Sequence, residues 1–500
     1  MPLYFGYKNI MNTRKKTLFH YLEEYARDDG EKLCIYDNTE RYTVSETLNL
    51  TRAYARTLYN MGIREGDFVG LQAKRRVRTA LVIYALETLG AVAVVCHAHG
   101  GVDDFLKNTG VDMPLKARIE FRGNELVVLY EGMETPFSPD LSEKSFSVCE
   151  NPDLPGLIIF TSGSTKVSKA VILSQNNMIL NGLDTARAGW YMPAEKGMII
   201  TPVCHLLGLF MVICCIVVRY PLYFPLHIAP DELMAAIEKF GITFIQGVPT
   251  SYITAANYKG REKYDLSSLK GGMMGGGACG TEQFKRLEAA LGMTIIPSYG
   301  MSEASGGITT MSREDSLEDR SSGTGRLLPS VKAKITDSEG KTLPDGETGE
   351  ICVKGPNVML GYYGDDKANR EAFDSEGWLK TGDLGYFDEK GILRLCGRKK
   401  DIIIRGGENI SCVKIECALA ELPFVNAAAV VGIENELYGE IPCAMIVASS
   451  SVTEEEVRAA LLKTLTKNEM PERIAFAEKL PLLDSGKPDK LAVKKYFSNG

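Results

Sequence analysis

The feature that most constrains this chain is a strand–helix–strand unit within residues 67–98. Asp67 to Ala73 (DFVGLQA) is an apolar run of strand length, Thr79 to Ala91 (TALVIYALETLGA) has helical length, and Val92 to Ala98 (VAVVCHA) is a second apolar strand. Such units imply a parallel sheet with covering helices. Upstream, Thr43-Val44-Ser45-Glu46 reads as a capping box, with apolar residues following at Leu50, Tyr54 and Leu58 and Gly62 ending the helix.

Three more buried strands follow, in GLIIFTSGS (156–164), GITFIQGVP (241–249) and MTIIPSYG (293–300), while residues 110–150 are mixed and turn-rich. After about residue 345 the texture changes to short alternating strands, GEICVKG, GILRLCGR and DIIIRGG. Beyond Asp401 a compact pattern runs through NAAAVVGI, PCAMIVAS, a helix opened by Thr453…Glu456, and RIAFAE. The expected fold is α/β: a large multi-sheet N-terminal domain, 1–399, with a β-rich distal part, and a small mobile α+β C-terminal domain, 400–500, joined near Lys399–Asp401. No repeat or low-complexity tract interrupts it.

A chain of 500 residues with 45% hydrophobic and 24% charged residues can bury a large core without disulfides. Its net charge of −7 argues against sequence-independent nucleic-acid binding. The 12 cysteines are scattered, with no CxxC spacing, and the 5 histidines form no zinc-like cluster in sequence. Free thiols and a cytoplasmic location are expected. The start, MPLYFGYKNIMNTRKK, has no apolar signal region. The longest apolar run, Leu206 to Val218, falls short of the ~20 residues a membrane-spanning helix needs and reads as a buried helix.

Five local motifs carry chemistry. Thr161-Ser162-Gly163-Ser164-Thr165-Lys166-Val167-Ser168-Lys169 follows a buried strand and offers hydroxyls, amides and lysines to phosphate oxygens without Walker A spacing. Gly275-Gly276-Gly277-Ala278-Cys279-Gly280 matches GxGxxG, but the next strand lacks the terminal acid of a dinucleotide site, so close backbone approach to a flat ligand fits better. Tyr299-Gly300-Met301-Ser302-Glu303 places an aromatic ring and a carboxylate where open α/β sheets bind ligands, and one carboxylate suits Mg²⁺. Lys380-Thr381-Gly382-Asp383, with Gly397-Arg398-Lys399-Lys400-Asp401, brings a ribose-gripping carboxylate near an arginine. Ser485-Gly486-Lys487 closes the series. Each alone is matched by a bland reading, as a polar loop, a Gly-rich turn or a solvated lysine.

In this order and spacing the motifs resemble the adenylate-forming superfamily of acyl- and aryl-CoA synthetases, adenylation domains and beetle luciferase, over nearly the whole chain. The resemblance implies a phosphate loop at Thr161, Ser162, Gly163, Ser164, Thr165 and Lys169. It implies an acyl-pocket motif at Pro202–Gly208 that includes His205, and an adenine platform at Gly276, Gly277 and Ala278. Tyr299 would stack on adenine beside Gly300 and Met301, Ser302 would contact phosphate or the acyl carboxylate, and Glu303, with Thr165, would hold Mg²⁺. Asp383 would bind the ribose and Arg398 the ribose and phosphate. Lys400 would be the hinge, Gly406 and Gly407 would line the pantetheine tunnel, and Lys487 would be the mobile catalytic lysine. In the phosphate loop Lys166, Ser168 and Ala170 depart from the family pattern, which puts loop dynamics in question.

The implied substrates are ATP, a small-molecule carboxylic acid and coenzyme A. No carboxylate stands at Val203-Cys204-His205 to hold an ammonium group, so an aliphatic or aromatic acid without an α-amine is expected. Expected pocket residues run from His205 to Phe210, Gln246 to Thr250 and Met274 to Gly277, with Ser298 and Gly306 to Ile308. A carrier-protein thiol as acceptor, an NAD-dependent oxidoreductase and a non-catalytic nucleotide binder remain the competing readings. The oligomeric state, a homodimer among its options, is left open.

Overall fold

The structure is a computed structural model and describes residues 15–161, 168–189, 195–277, 279–483 and 486–498. Its strands form four sheets among these residues. One eight-stranded sheet runs from Gly361–Tyr362 through Lys169–Ser174, Pro155–Thr161, Val92–Cys96, Phe68–Gln72, Leu115–Arg122 and Glu125–Tyr130 to Met133–Pro136. The nine-stranded sheet has Gly197–Ile199, Phe244–Gly247, Gly271–Met274 and Thr294–Met301 as parallel neighbours.

The constraining unit folds as its sequence requires. Phe68–Gln72 and Val92–Cys96 pair in parallel, and helix Val77–Leu89 crosses between them. That helix is buried on nearly every side, which is why its sequence shows no polar face. It ends at Gly90, in the left-handed region at φ 70°. The capping box before helix Val44–Asn60 forms, with Glu46 N donating to Thr43 Oγ1 at 3.2 Å and Thr43 N to Glu46 Oε2 at 2.8 Å.

Three stretches differ from the sequence reading. Residues 115–136, read as mixed, are an antiparallel meander at a sheet edge. Its outermost strand, Met133–Pro136, is exposed throughout and so has no apolar rhythm. The four-stranded distal sheet begins earlier than the change in texture, at Lys332–Thr336, and continues through Gly349–Lys354, Leu379–Phe387 and Leu393–Arg398. The apolar run from Leu206 is α-helical only to Cys214 and then widens into a π turn, Cys215–Arg219. No helix among the described residues is long and apolar enough to cross a membrane.

From Ile402 onward the chain forms its own five-stranded sheet and two cores drawn only from residues in this part, one around Ile415 and Val430, the other around Cys443 and Phe497. A single 3₁₀ turn, Lys399–Asp401, separates this sheet from Leu393–Arg398.

Glu87, on helix Val77–Leu89, is 1% exposed, and burial pushes its carboxyl up from 4.5 to about 8. It lies against Gly156, at the base of the strand that delivers Thr161. The native state therefore holds a proton that the unfolded chain has released, so stability falls as pH rises through that window. We expect the urea midpoint to drop across it, by about 1.4 kcal/mol of stability per pH unit at most, and Glu87→Gln to flatten the dependence. Equal pH dependence in both proteins would contradict this.

Candidate active site

The parallel strands Phe244–Gly247, Gly271–Met274 and Thr294–Met301 end side by side, and their C-terminal loops open on one cavity of about 1460 Å³. Open α/β sheets bind ligands at this edge. Thr161, Lys169 and His205 line it, as do Gly276, Gly277 and Tyr299. Gly300, Met301, Ser302 and Glu303 continue the wall, and Asp383, Arg398, Lys400 and Lys487 close it from the distal sheet and the C-terminal part. Ser162, Gly163, Ser164, Thr165 and Ala278 lie outside the described residues. Gly406 and Gly407 do not reach the cavity: they form the tip of the hairpin Ile402–Arg405/Glu408–Ser411, at φ 58° and 86°.

One end of the cavity is built on Asp383. Leu379–Phe387 and Leu393–Arg398 pair so that Asp383 faces Arg398 across the ladder. Arg398 Nε donates to Asp383 Oδ1 at 2.9 Å, and Tyr299 Oη donates to Oδ2 at 2.8 Å. Burial and the facing Asp383 carboxylate push the Tyr299 phenol well above its usual range, so it stays a donor.

The other end is built on Glu303, in the 3₁₀ turn Ser302–Ala304. Tyr362 Oη donates to Glu303 Oε1 at 2.9 Å, and Lys169 Nζ sits 4.6 Å from the Tyr362 ring centroid. Tyr362 thus holds both a carboxylate and a cation, a role no local motif announced. The turn itself is fixed from behind. Asn181 Nδ2 donates to Gly307 O at 2.7 Å and its Oδ1 accepts from Gly307 N, while Asn357 Nδ2 donates to Gly307 O and Ala304 O. Ser305, left-handed at φ 54°, donates to Asn357 O. The sequence reading missed Asn181 and Asn357, because each lies far along the chain from the turn it holds.

Lys487 enters between these ends. The Thr250 hydroxyl donates to Gly486 O at 2.8 Å, tying the terminal loop to helix Pro249–Ala256, which follows strand Phe244–Gly247. Gly276 lies at φ 77°, a backbone conformation that favours glycine, and a Cβ there would stand 2.9 Å from Cε at the flexible end of Lys487. Burial, with Arg398 adding like charge, pushes the Lys487 ammonium below the usual lysine range, against the pull of Asp383 and Glu303. Lys400 is shifted the same way for the same two leading reasons.

Three residues further on, Lys490 Nζ pairs with Glu416 Oε1 at 2.9 Å and approaches Asp401 Oδ2 at 3.8 Å. Glu416 Oε1 also accepts from Val430 N. The segment bearing Lys487 is thereby anchored to helix Cys412–Ala420 and to the turn Lys399–Asp401.

A second correction concerns the histidines. Although no cluster shows in sequence, His97, Cys204 and His205 place one ligand atom each within 4.8 Å of one another. The fold brings a strand end and a helix start together, which spacing along the chain does not reveal. The GxGxxG stretch stands before helix Thr281–Leu291 as expected, but its Gly276 faces Lys487.

Comparison with known proteins agrees with this architecture. The family model for AMP-binding enzymes matches residues 22–363, and the model for the AMP-binding enzyme C-terminal domain matches 414–487. The chain is 29% identical to the putative acyl-CoA synthetase YngI of Bacillus subtilis, with 94% of each covered. It is 30% identical to a 2-succinylbenzoate–CoA ligase of Bacillus cereus, covering 93% of this chain and 96% of that one. Among solved structures it superimposes on the o-succinylbenzoate CoA synthetase of Bacillus subtilis in complex with an acyl-adenylate intermediate. The TM-score is 0.80 at 25% identity, over 95% of this chain and 97% of that chain. A lysine, two acidic side chains and an arginine on one cavity, a tail lysine reaching it, and these matches lead to one conclusion: the chain belongs to the adenylate-forming, AMP-binding enzyme family.

Proposed function

We propose that this enzyme activates a carboxylic acid with ATP, forming an acyl-AMP and releasing pyrophosphate, and then passes the acyl group to the thiol of coenzyme A. The observation that carries the reading is the convergence of Lys169, Glu303, Asp383, Arg398 and Lys487 on one cavity. The names of the relatives, acyl-CoA synthetase and 2-succinylbenzoate–CoA ligase, support the same chemistry.

The barrier to the first step is largely that of bringing a carboxylate against an anionic α-phosphate, so fixed positive charge must face the developing negative charge. In this reading Asp383, held by Arg398 and Tyr299, accepts hydrogen bonds from the ribose hydroxyls. Gly276 and Gly277 let adenine approach the backbone, and Tyr299 flanks it. Lys169 and Lys487 reach the phosphates, and Ser302 offers a hydroxyl to phosphate or carboxylate. The attacking carboxylate oxygen forms the new P–O bond as pyrophosphate leaves. Glu303 fits Mg²⁺, an oxygen-seeking ion that keeps waters and phosphate oxygens as its other ligands. When bound, Mg²⁺ would supply charge neutralisation at the phosphates.

The acid would lie among His205, Leu206, Leu207, Phe210, Gln246 and Gly306. No acidic side chain stands among these six, which favours an aliphatic or aromatic acid without an α-amine. A panel of such acids, scored for acid-dependent pyrophosphate release with and without coenzyme A, tests the reading. Acid-independent release, or none across the panel, would remove it.

Removing the Lys487 ammonium should leave the leaving phosphates uncompensated. We expect Lys487→Ala to slow pyrophosphate release by roughly 10²–10³-fold while thioester formation from supplied acyl-AMP stays within a few-fold. Release at the unaltered rate would refute the role.

For the thiol to approach, Lys487 must leave. The turn Lys399–Asp401 is the proposed hinge between domains 1–399 and 400–500, and rotation there would bring Gly406 and Gly407 toward the cavity as a pantetheine tunnel. Proline at 400 fixes φ. Lys400→Pro should therefore slow thioester formation far more than adenylation, measured as separate half-reactions. Equal losses would argue against a hinge there.

A further inference from the structure

Two histidines and a cysteine beside the cavity form a donor cluster to which the ligase reading gives no joint role, although His205 by itself lines the proposed acid pocket. His97 follows strand Val92–Cys96, and Cys204–His205 precede helix Leu206–Cys214. One ring nitrogen from each histidine and Cys204 Sγ lie within 4.8 Å of one another. The imidazole rings meet edge to face, with centroids 5.3 Å apart.

Both sides of the group rest on packed supports. His97 stacks on Phe105 at 5.0 Å, and Phe105 meets Phe160 at 5.0 Å, on the strand that ends at Thr161. His205 caps its helix, its N–H donating to Pro202 O and its carbonyl accepting from Leu209 N at 3.0 Å. Cys204 is only 5% exposed. Ligand atoms held this way need small side-chain adjustments, not a change of fold, to close around an ion.

We propose that His97, Cys204 and His205 bind a borderline-soft divalent cation of the Zn²⁺ or Co²⁺ class, separate from any Mg²⁺ at Glu303. Two imidazoles and a thiolate are the donor set such ions select, whereas Mg²⁺ takes oxygen. Three protein ligands leave a fourth position for water. The Arg75 guanidinium is near enough to Cys204 to interact with it. Its positive charge opposes a further cation, so the affinity falls below that of structural zinc sites. Because His205 lines the cavity, an ion here ties its ring to Cys204 and adds positive charge at the acid end, and occupancy inhibits turnover.

The test uses the full untagged chain with Co²⁺ or Zn²⁺ alone and neither ATP nor acid, so its outcome is independent of the ligase reading. One equivalent of Co²⁺ should bind and give a near-ultraviolet thiolate-to-cobalt band. Cys204→Ser should abolish the band, and His97→Ala should weaken binding by more than about tenfold. Cys396→Ser, at a partly buried cysteine elsewhere, should change neither. His97 is only partly buried, so its variant keeps the test open where Cys204→Ser fails to fold. No binding by the unaltered chain, a band that survives Cys204→Ser, or undiminished affinity in His97→Ala would overturn the proposal.

Discussion

The interaction on which the site depends is the burial of a lysine ammonium beside an arginine. Lys487 is half-buried, with Arg398 adding like charge and Asp383 and Glu303 pulling the other way. An ammonium withdrawn from water is costly unless it is paired. Asp383 is already engaged by Arg398 and Tyr299, and Glu303 by Tyr362. The two carboxylates that pull on Lys487 are thus already committed to other partners, and in the proposed reaction the ATP phosphates would pair with its ammonium. The Thr250–Gly486 hydrogen bond is one contact that the proposed departure of the lysine would have to break.

Around that lysine the rest is scaffolding of two kinds. Parallel strands set the loops side by side at their C-terminal ends. Buried amides then fix the loop shapes, as Asn181 and Asn357 do for the turn carrying Glu303. On the C-terminal side Lys490, Glu416 and Asp401 join the tail, a helix and the 3₁₀ turn. The rotation proposed at that turn would carry the tail with it, because the ion pairs bridge the intervening chain.

Much of this was legible in the sequence where the physics is local. Thr43–Glu46 and Thr453–Glu456 announced their helices because both partners of a capping box lie within one turn. Residues 67–98 announced a covered parallel sheet because strands buried on both faces must be apolar throughout. The motifs around Tyr299, Asp383 and Lys487 were legible for a related reason: a loop at a strand end carries its chemistry in consecutive residues. What stayed hidden was long-range. Tyr362 reaches Glu303, and His97 meets Cys204 and His205, only through sheet order. The meander at 115–136 hid because an exposed edge strand has no buried face to leave a rhythm.

Gly300 has a consequence for how such an enzyme can change its diet. A methyl group there would fall 1.4 Å from the Gly306 carbonyl oxygen, so the backbone itself forbids any side chain on that stretch of wall. Beside it on the paired strand, Gly306 faces the Phe210 ring, 3.5 Å from where its own Cβ would stand. In the proposed acid pocket the Gly300–Gly306 wall is therefore fixed by its backbone, and the facing Phe210 side is adjustable. Under the proposed function, drift toward larger or smaller acids would run through Phe210 and its neighbours on helix Leu206–Cys214 and not through Gly300.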